Sequence, residues 1–135
     1  GVQFCLSEAK LGLLPATIAP YVIRAMGEQA ARRYFVTAER FDATMAQAMG
    51  LVHQVTTSED LDSTLEGIVA SMVANGPEAV KACKLLVKDV AGRPIDAALR
   101  SDTARRIADI RVSDEGREGV QSFLSKRAPS WVQAV

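Results

Sequence analysis

The sequence has very few of the residues from which metal sites and disulfide frameworks are built. His53 is the only histidine among 135 residues, and the two cysteines, Cys5 and Cys83, lie far apart with no CxxC spacing. Structural zinc sites draw several Cys and His ligands together, and disulfide frameworks need a closely spaced, even set of cysteines. We therefore expect neither a metal site nor a disulfide framework.

Aromatic side chains and net charge are also scarce. Aromatics make up 5% of the chain, and 16 basic residues balance 16 acidic ones. Proteins that bind single-stranded nucleic acid stack bases on aromatic rings, and binding to duplexes or anionic membranes depends on excess positive charge. The composition therefore predicts no nucleic-acid partner.

No apolar run approaches the ~18 residues that a membrane-spanning helix needs. The sequence opens with Gly1 and Val2, without Met and without the basic segment of a signal peptide. We expect no membrane partner and a cytoplasmic location. Because the sequence opens inside a predicted strand, we also expect it to be a piece of a longer chain.

The residues that are present indicate a folded, mainly α-helical protein. Hydrophobic residues make up 48% and charged residues 24%, which is typical of globular proteins. The pattern predicts a strand at residues 2–7, a brief extended segment at 51–55 and six or seven helices, an α+β class dominated by helix. The expected helices cover about 17–27, 28–37, 42–50, 58–75, 77–90, 95–112 and 113–128, with Thr17, Asp42, Ser58 and Ser113 as N-caps.

Two predicted helices carry regular apolar stripes. Between residues 61 and 73, and again between 79 and 90, apolar residues recur at spacings of three and four. Cys83 lies on the second stripe, so we expect it in the core, with Lys81, Lys84 and Lys88 on the opposite face.

Glu8 is the first candidate for chemistry. It leaves the predicted strand at a turn that is rich in apolar residues and is followed by Gly12 and Pro15. A carboxyl group at such a place can serve as a general acid or base. Taken alone, it is also explained as a surface glutamate beside Lys10.

Four segments, in order, resemble landmarks of the enoyl-CoA hydratase/isomerase (crotonase) superfamily. The first segment, residues 4–15, has a strand, a glutamate and a Gly-x-x-Pro turn, and the third, residues 75–80, begins a helix. The segments are FCLSEAKLGLLP (residues 4–15), AQAMGLVHQV (46–55), NGPEAV (75–80) and SDEGREGVQSFLSKRAPSW (113–131). The resemblance covers the whole chain but only the C-terminal half of a usual crotonase.

The resemblance implies roles for particular residues. Glu8 matches the family's catalytic glutamate, and the amide of Ala16 lies where relatives bond the reacting water. Phe123 and Lys126 match positions near the adenine and the phosphates of coenzyme A, although a core phenylalanine and a surface lysine explain them equally well. No separate cofactor is expected, because coenzyme A is part of the acyl-CoA substrate.

The resemblance also implies an architecture. Residues 1–57 would be the tail of the ClpP/crotonase spiral core, and residues 58–135 the C-terminal helical region that packs trimers or hexamers. The family's upstream half supplies the oxyanion-hole amides and, in hydratases, a second glutamate. We therefore interpret the chain as part of a lyase that adds water in the syn sense, and we expect the isolated chain to be inactive. The alternative is that the chain is a catalytically silent helical module that associates with itself.

After Pro15 most members of the family have the sequence Gly-x-Gly-Gly-Thr. This chain has ATIAP at residues 16–20, with Ala16 in place of the first glycine. This variant resembles the branch of 3-methylglutaconyl-CoA and carboxygeranoyl-CoA hydratases. The resemblance fits both a hydratase and an isomerase, because both use a glutamate at the position of Glu8.

Overall fold

The computed structural model of the chain describes residues 1–132 and is mainly α-helical with two short strands, which confirms the predicted fold class. Internal contacts divide the chain into two units, Gly1–Leu61 and Asp62–Val135. The elements in chain order are β1 (Gln3–Phe4), a 3₁₀ turn (Glu8–Leu11), α1 (Ala19–Met26), α2 (Glu28–Thr37), β2 (Phe41–Asp42), α3 (Ala43–Ala48), α4 (Leu61–Val73), α5 (Pro77–Val90), α6 (Ala97–Val112) and α7 (Asp114–Leu124).

The strands of the first unit form one antiparallel pair, in which Gln3 lies opposite Asp42 and Phe4 opposite Phe41. The Phe4 and Phe41 rings stack with centroids 5.4 Å apart, and the Tyr34 ring lies 4.4 Å from that of Phe41. Aromatic pairs at these distances stabilise a structure beyond the area they bury. Phe41 therefore joins β1 to α2.

β1 pairs with β2, and the extended segment predicted at residues 51–55 is not a strand. Gly50, at a φ of 77°, turns the chain after α3. The amides of Leu51 and Val52 then both donate to the carbonyl of Ala46, at 2.9 and 3.3 Å. Since these donors are used locally, this segment bends instead of adding a strand.

Apolar side chains from α1, α2, β2 and α3 meet in the core of the first unit. α1 ends at Gly27, as predicted, where φ is 82°. The expected cap Thr17 is wrong: Ile18 precedes the helix without a side-chain bond, and the amide of Ala19 donates to the carbonyl of Pro15 at 2.9 Å. The core consists of Leu6, Met26, Ala31, Tyr34, Phe41 and Ala46.

α3, α6 and α7 each begin with a side-chain cap from the preceding residue. Asp42 accepts a hydrogen bond from the amide of Met45 at 2.8 Å, which confirms the predicted cap of α3. Ser113 accepts one from the amide of Gly116 at 3.1 Å and caps α7, also as predicted. α6 is capped in the same way by Asp96.

α4 begins differently from the prediction. Ser58 does not cap it, because a turn over residues 58–60 precedes the helix. The hydroxyl of Thr57 accepts from the amide of Asp60 at 3.1 Å and also donates to the Asp60 carboxylate at 2.8 Å. Thr57 therefore closes the turn that precedes α4, and the helix starts at Leu61.

The apolar stripes of the second unit are largely open to solvent. No residue of α4 or α5 is buried. Cys83, expected in the core, is exposed; that prediction is wrong because its face of α5 lines an open cleft instead of a filled interior. This cleft, of about 810 Å³, runs between α5 and α6 and includes Leu86, Ile107 and Ile110.

Trp131 ties the end of the described chain to the second unit. Its indole Nε1 donates to the carbonyl of Ala74 at 3.2 Å, just beyond α4. Gly119 on α7 leaves room for the ring, because a Cβ there would lie 3.0 Å from the ring carbon Cη2. Trp131 therefore packs against α7 and bonds to the residue that follows α4.

Within residues 1–132, no helix combines the length and the apolar character that crossing a membrane requires.

Candidate active site

Glu8 begins the 3₁₀ turn that follows β1 and the buried Leu6. Its carbonyl accepts a hydrogen bond from the amide of Leu13 at 3.0 Å, and Gly12, at a φ of 69°, reverses the chain between them. A left-handed conformation of this kind favours glycine. The turn therefore fixes the backbone of Glu8 beside Leu13.

The carboxyl group of Glu8 has an unusual environment. The side chain is half-buried, and its Oε2 atom is buried with no hydrogen-bond partner among residues 1–132. Buried polar atoms of proteins almost always have a partner, so each exception calls for an explanation. A carboxyl oxygen without a partner is available to a ligand, which suits a group that gives or takes a proton.

Ala16 follows Pro15 in the segment that leads from the Glu8 turn to α1. Its amide donates to the carbonyl of Leu14 at 2.9 Å, and the residue is exposed. A bound water would have to share this donor with Leu14. Pro15 is buried, which anchors the segment between Glu8 and Ala16.

Phe123 and Lys126 lie in the second unit, at the end of α7. Phe123 is 81% exposed, and the amide of Lys126 donates to its carbonyl at 3.2 Å. Lys126 is also exposed and has a φ of 50°, in the left-handed region. The structure thus brings Phe123 and Lys126 into one turn, as it brings Glu8 and Ala16 into one segment of the first unit.

An ion pair beside Lys126 was not predicted from the sequence. Arg127 donates from Nη1 and Nη2 to the two carboxylate oxygens of Glu118, at 2.6 and 2.8 Å, and the amide of Ser130 donates to the same carboxylate at 2.8 Å. The bonds from Arg127, followed by that from Ser130, lower the pKa of Glu118 to about 2. Its sequence signal is only a Glu and an Arg nine residues apart.

Groups of three or more His, Cys, Asp and Glu side chains that could hold a metal ion are absent from the described residues.

The chain resembles known proteins along almost its whole length. A sequence model of the family described as "Enoyl-CoA hydratase/isomerase" matches residues 2–134. The chain belongs to this family. The enoyl-CoA hydratase AKT6-1 of Alternaria alternata is 33% identical over 135 residues, which cover 97% of this chain and 44% of that protein.

Solved structures of the family have the same fold. The enoyl-CoA hydratase from Shewanella pealeana is 45% identical, with a TM-score of 0.89 over 96% of this chain and 48% of that one. Pseudomonas aeruginosa AtuE is 39% identical, also with a TM-score of 0.89, over 98% of this chain and 51% of that one. The chain therefore has part of the crotonase fold and spans about half the length of the relatives it matches.

Proposed function

We propose that this chain is the C-terminal half of an enzyme that adds water across the double bond of a 2-enoyl-CoA thioester, with Glu8 as the group that protonates Cα. The observation that carries the proposal is the buried Oε2 atom of Glu8, which has no partner among the described residues. Family membership supplies the substrate class, since crotonases act on acyl-CoA thioesters.

The reaction requires more groups than Glu8. The oxygen of water bonds to Cβ, one of its protons goes to a base, and a proton from an acid bonds to Cα. In between, negative charge moves to the thioester oxygen, where amide donors must stabilise it. The resemblance implies that the family's upstream half supplies these amides and the second glutamate.

The 135-residue chain alone should therefore be close to inactive. Removing one oxyanion donor costs about 10²–10³ in rate. A single general acid or base contributes about 10²–10⁴. Glu8 by itself does not offset the loss of the oxyanion amides and the second carboxylate.

Apolar side chains beside Glu8 are suited to an acyl chain. Leu13, whose amide bonds to the carbonyl of Glu8, is 62% exposed, and Leu14 is 73% exposed. Exposed apolar groups next to a carboxyl oxygen without a partner offer a surface for the apolar carbons of an acyl chain. A branched acyl chain with a distal carboxylate, as in the 3-methylglutaconyl-CoA branch, is our expectation for the substrate.

The turn after α7 is suited to coenzyme A itself. Phe123 presents an exposed ring that can stack on a base, and Lys126 presents an ammonium group that can pair with a phosphate.

Homo-oligomerisation is part of the proposal. Along α4, Leu65, Ile68 and Met72 recur on one face and are 56%, 46% and 50% exposed. Such a row is costly to leave in water. The same observation favours the second candidate function, a self-associating helical module without catalysis.

Product analysis with the full-length enzyme tests the proposal. A hydratase converts a 2-enoyl-CoA into the 3-hydroxyacyl-CoA, whereas an isomerase moves the double bond of a 3-enoyl-CoA without adding water. Crotonyl-CoA and 3-methylglutaconyl-CoA are the two substrates to compare, and the 135-residue chain alone is the control. Hydration at the buffer rate by the full-length protein would favour the silent module.

A further inference from the structure

The turn after α7 has an unexpected residue at its centre. The amide of Lys126 bonds to the carbonyl of Phe123 at 3.2 Å, and that of Arg127 to the carbonyl of Ser122 at 3.0 Å. These bonds form a Schellman motif, in which the left-handed position is usually a glycine. Here that position is Lys126, with a φ of 50°. A side chain in this strained conformation needs a reason.

The surrounding contacts hold the turn in place. Arg127 forms a bidentate pair with Glu118 on α7, and also donates from Nη1 to the carbonyl of Ala128 at 3.1 Å. The amide of Ser130 completes the set on Glu118 at 2.8 Å. Arg127 and Ser130, which both follow Lys126, are therefore fixed to one carboxylate of α7, the helix that precedes it.

The pair also leaves Lys126 as the free cation of this turn. The charge of Arg127 is balanced by Glu118, whereas Lys126 forms no ion pair within residues 1–132. If the turn served only to end the helix, glycine would form it with less strain. Its exposed ammonium group is available to a ligand.

We propose that Glu118 and Arg127 are positioning residues that hold Lys126 in its left-handed conformation, so that its ammonium group meets a phosphate of the bound coenzyme A. This inference rests on the proposed function, in which Lys126 contacts that phosphate. It assigns Glu118 a role in substrate affinity although its own carboxylate is used entirely within the protein.

The test compares two thioesters in the full-length enzyme, crotonyl-CoA and crotonyl-pantetheine, which lacks every phosphate. Lys126→Gly keeps the turn and removes the ammonium group. We expect it to raise KM for crotonyl-CoA about tenfold to a hundredfold, as for the loss of a charge-assisted hydrogen bond. Glu118→Gln should raise it in the same direction, and neither variant should change kcat or the pantetheine reaction.

A double variant shows whether Glu118 acts through Lys126. In the Lys126→Gly background, Glu118→Gln should have little further effect on KM for crotonyl-CoA. A full additional loss, or an equal loss with crotonyl-pantetheine, would overturn the inference and leave Glu118 with a structural role.

The first unit offers a matched control. Arg33 donates from Nε and Nη2 to Glu39, at 2.5 and 3.2 Å, beside Ala38, whose φ is also 50°. This pair is also bidentate and also lies beside a left-handed residue, but that residue carries no charge. Glu39→Gln should therefore leave the ratio of the two thioester activities unchanged.

A failure of the proposed function is seen separately. If the wild-type enzyme turns over neither thioester, titration of the protein with coenzyme A by calorimetry decides the inference. Weaker binding by Lys126→Gly and Glu118→Gln would support it without catalysis. Equal binding by all three proteins, or no binding by the wild type, would overturn it.

Discussion

The carboxylate of Glu115 should contribute measurably to the stability of the second unit. It accepts hydrogen bonds from the amides of Glu78 at 3.0 Å and Ala79 at 2.8 Å, in the first turn of α5. Gly76 precedes this helix and has no side chain to cap it, and Pro77 has no N–H. A residue of α7 therefore does the work of a helix cap for α5.

Glu115→Gln removes the charge and places an NH₂ group opposite one of the two amides. Loss of a cap costs about 0.5–2 kcal/mol, and loss of a negative charge at a helix N-terminus about 0.3–1 kcal/mol. The expected decrease in the free energy of unfolding is therefore about 1–3 kcal/mol. Gly76→Ala should act in the same direction, because its Cβ would overlap the Glu115 carboxyl group.

Urea unfolding followed by far-UV circular dichroism measures this decrease. Glu66→Gln, at an exposed position on α4, is the matched control and should change the free energy of unfolding by less than about 0.5 kcal/mol. If Glu115→Gln unfolded at the same urea concentration as the wild type, the bonds to Glu78 and Ala79 would contribute nothing to stability.

Three further predictions concern pH, backbone strain and assembly. The pKa of Glu118 is about 2 in the folded chain and 4.5 when the group is unpaired. Its contribution to stability is therefore complete above about pH 4.5 and is lost as the pH falls toward 2. In acid titrations Glu118→Gln should lose less stability across this window than the wild type, and an equal loss would contradict the assignment. Lys126→Gly should raise the free energy of unfolding by about 0.5–1 kcal/mol in urea titrations, because the left-handed conformation costs a residue with a side chain about 1–2 kcal/mol and the chain entropy that glycine loses offsets part of the gain. A decrease would mean that the lysine side chain stabilises the turn. The chain should self-associate, because burying each exposed leucine of α4 gains about 1.5–3 kcal/mol. Light scattering after size exclusion should show a mass above that of the 14.5 kDa chain, and Leu65→Asp should lower this mass. A monomer at every concentration would refute the prediction.

Local signals in the sequence predicted the helices well. The bounds expected for α2 and the caps Asp42 and Ser113 are confirmed, because a short polar side chain before an apolar repeat satisfies helix amides wherever it occurs. Thr17 is not a cap, because the amide of Ala19, the first residue of α1, donates its hydrogen bond to the carbonyl of Pro15. Ser58 failed because a turn delays α4 by three residues.

Features that depend on distant parts of the chain were missed. The pairing of β1 with residues 41–42 was not predicted, and the segment expected to be extended at 51–55 bends because the amides of Leu51 and Val52 donate to the carbonyl of Ala46. The exposure of Cys83 depends on how α5 and α6 separate, which its apolar spacing does not encode.

The candidate site was predicted in part. A glutamate and a turn were expected at residue 8, but the missing partner of its Oε2 atom follows only from the packing around it. Similarly, Lys126 was named, but its left-handed backbone and the Glu118–Arg127 pair require the turn that brings residues 118 and 127 together.

Hydration of crotonyl-CoA in D₂O by the full-length enzyme tests most directly whether Glu8 delivers the proton to Cα. The wild-type product should carry one deuterium from solvent at Cα, and Glu8→Gln should lower the rate by about 10²–10⁴. Glu28→Gln, on the exposed surface of α2 where Glu28 pairs with Arg32, should keep the wild-type rate. Near-normal hydration by Glu8→Gln would contradict the assignment of Glu8 as the acid.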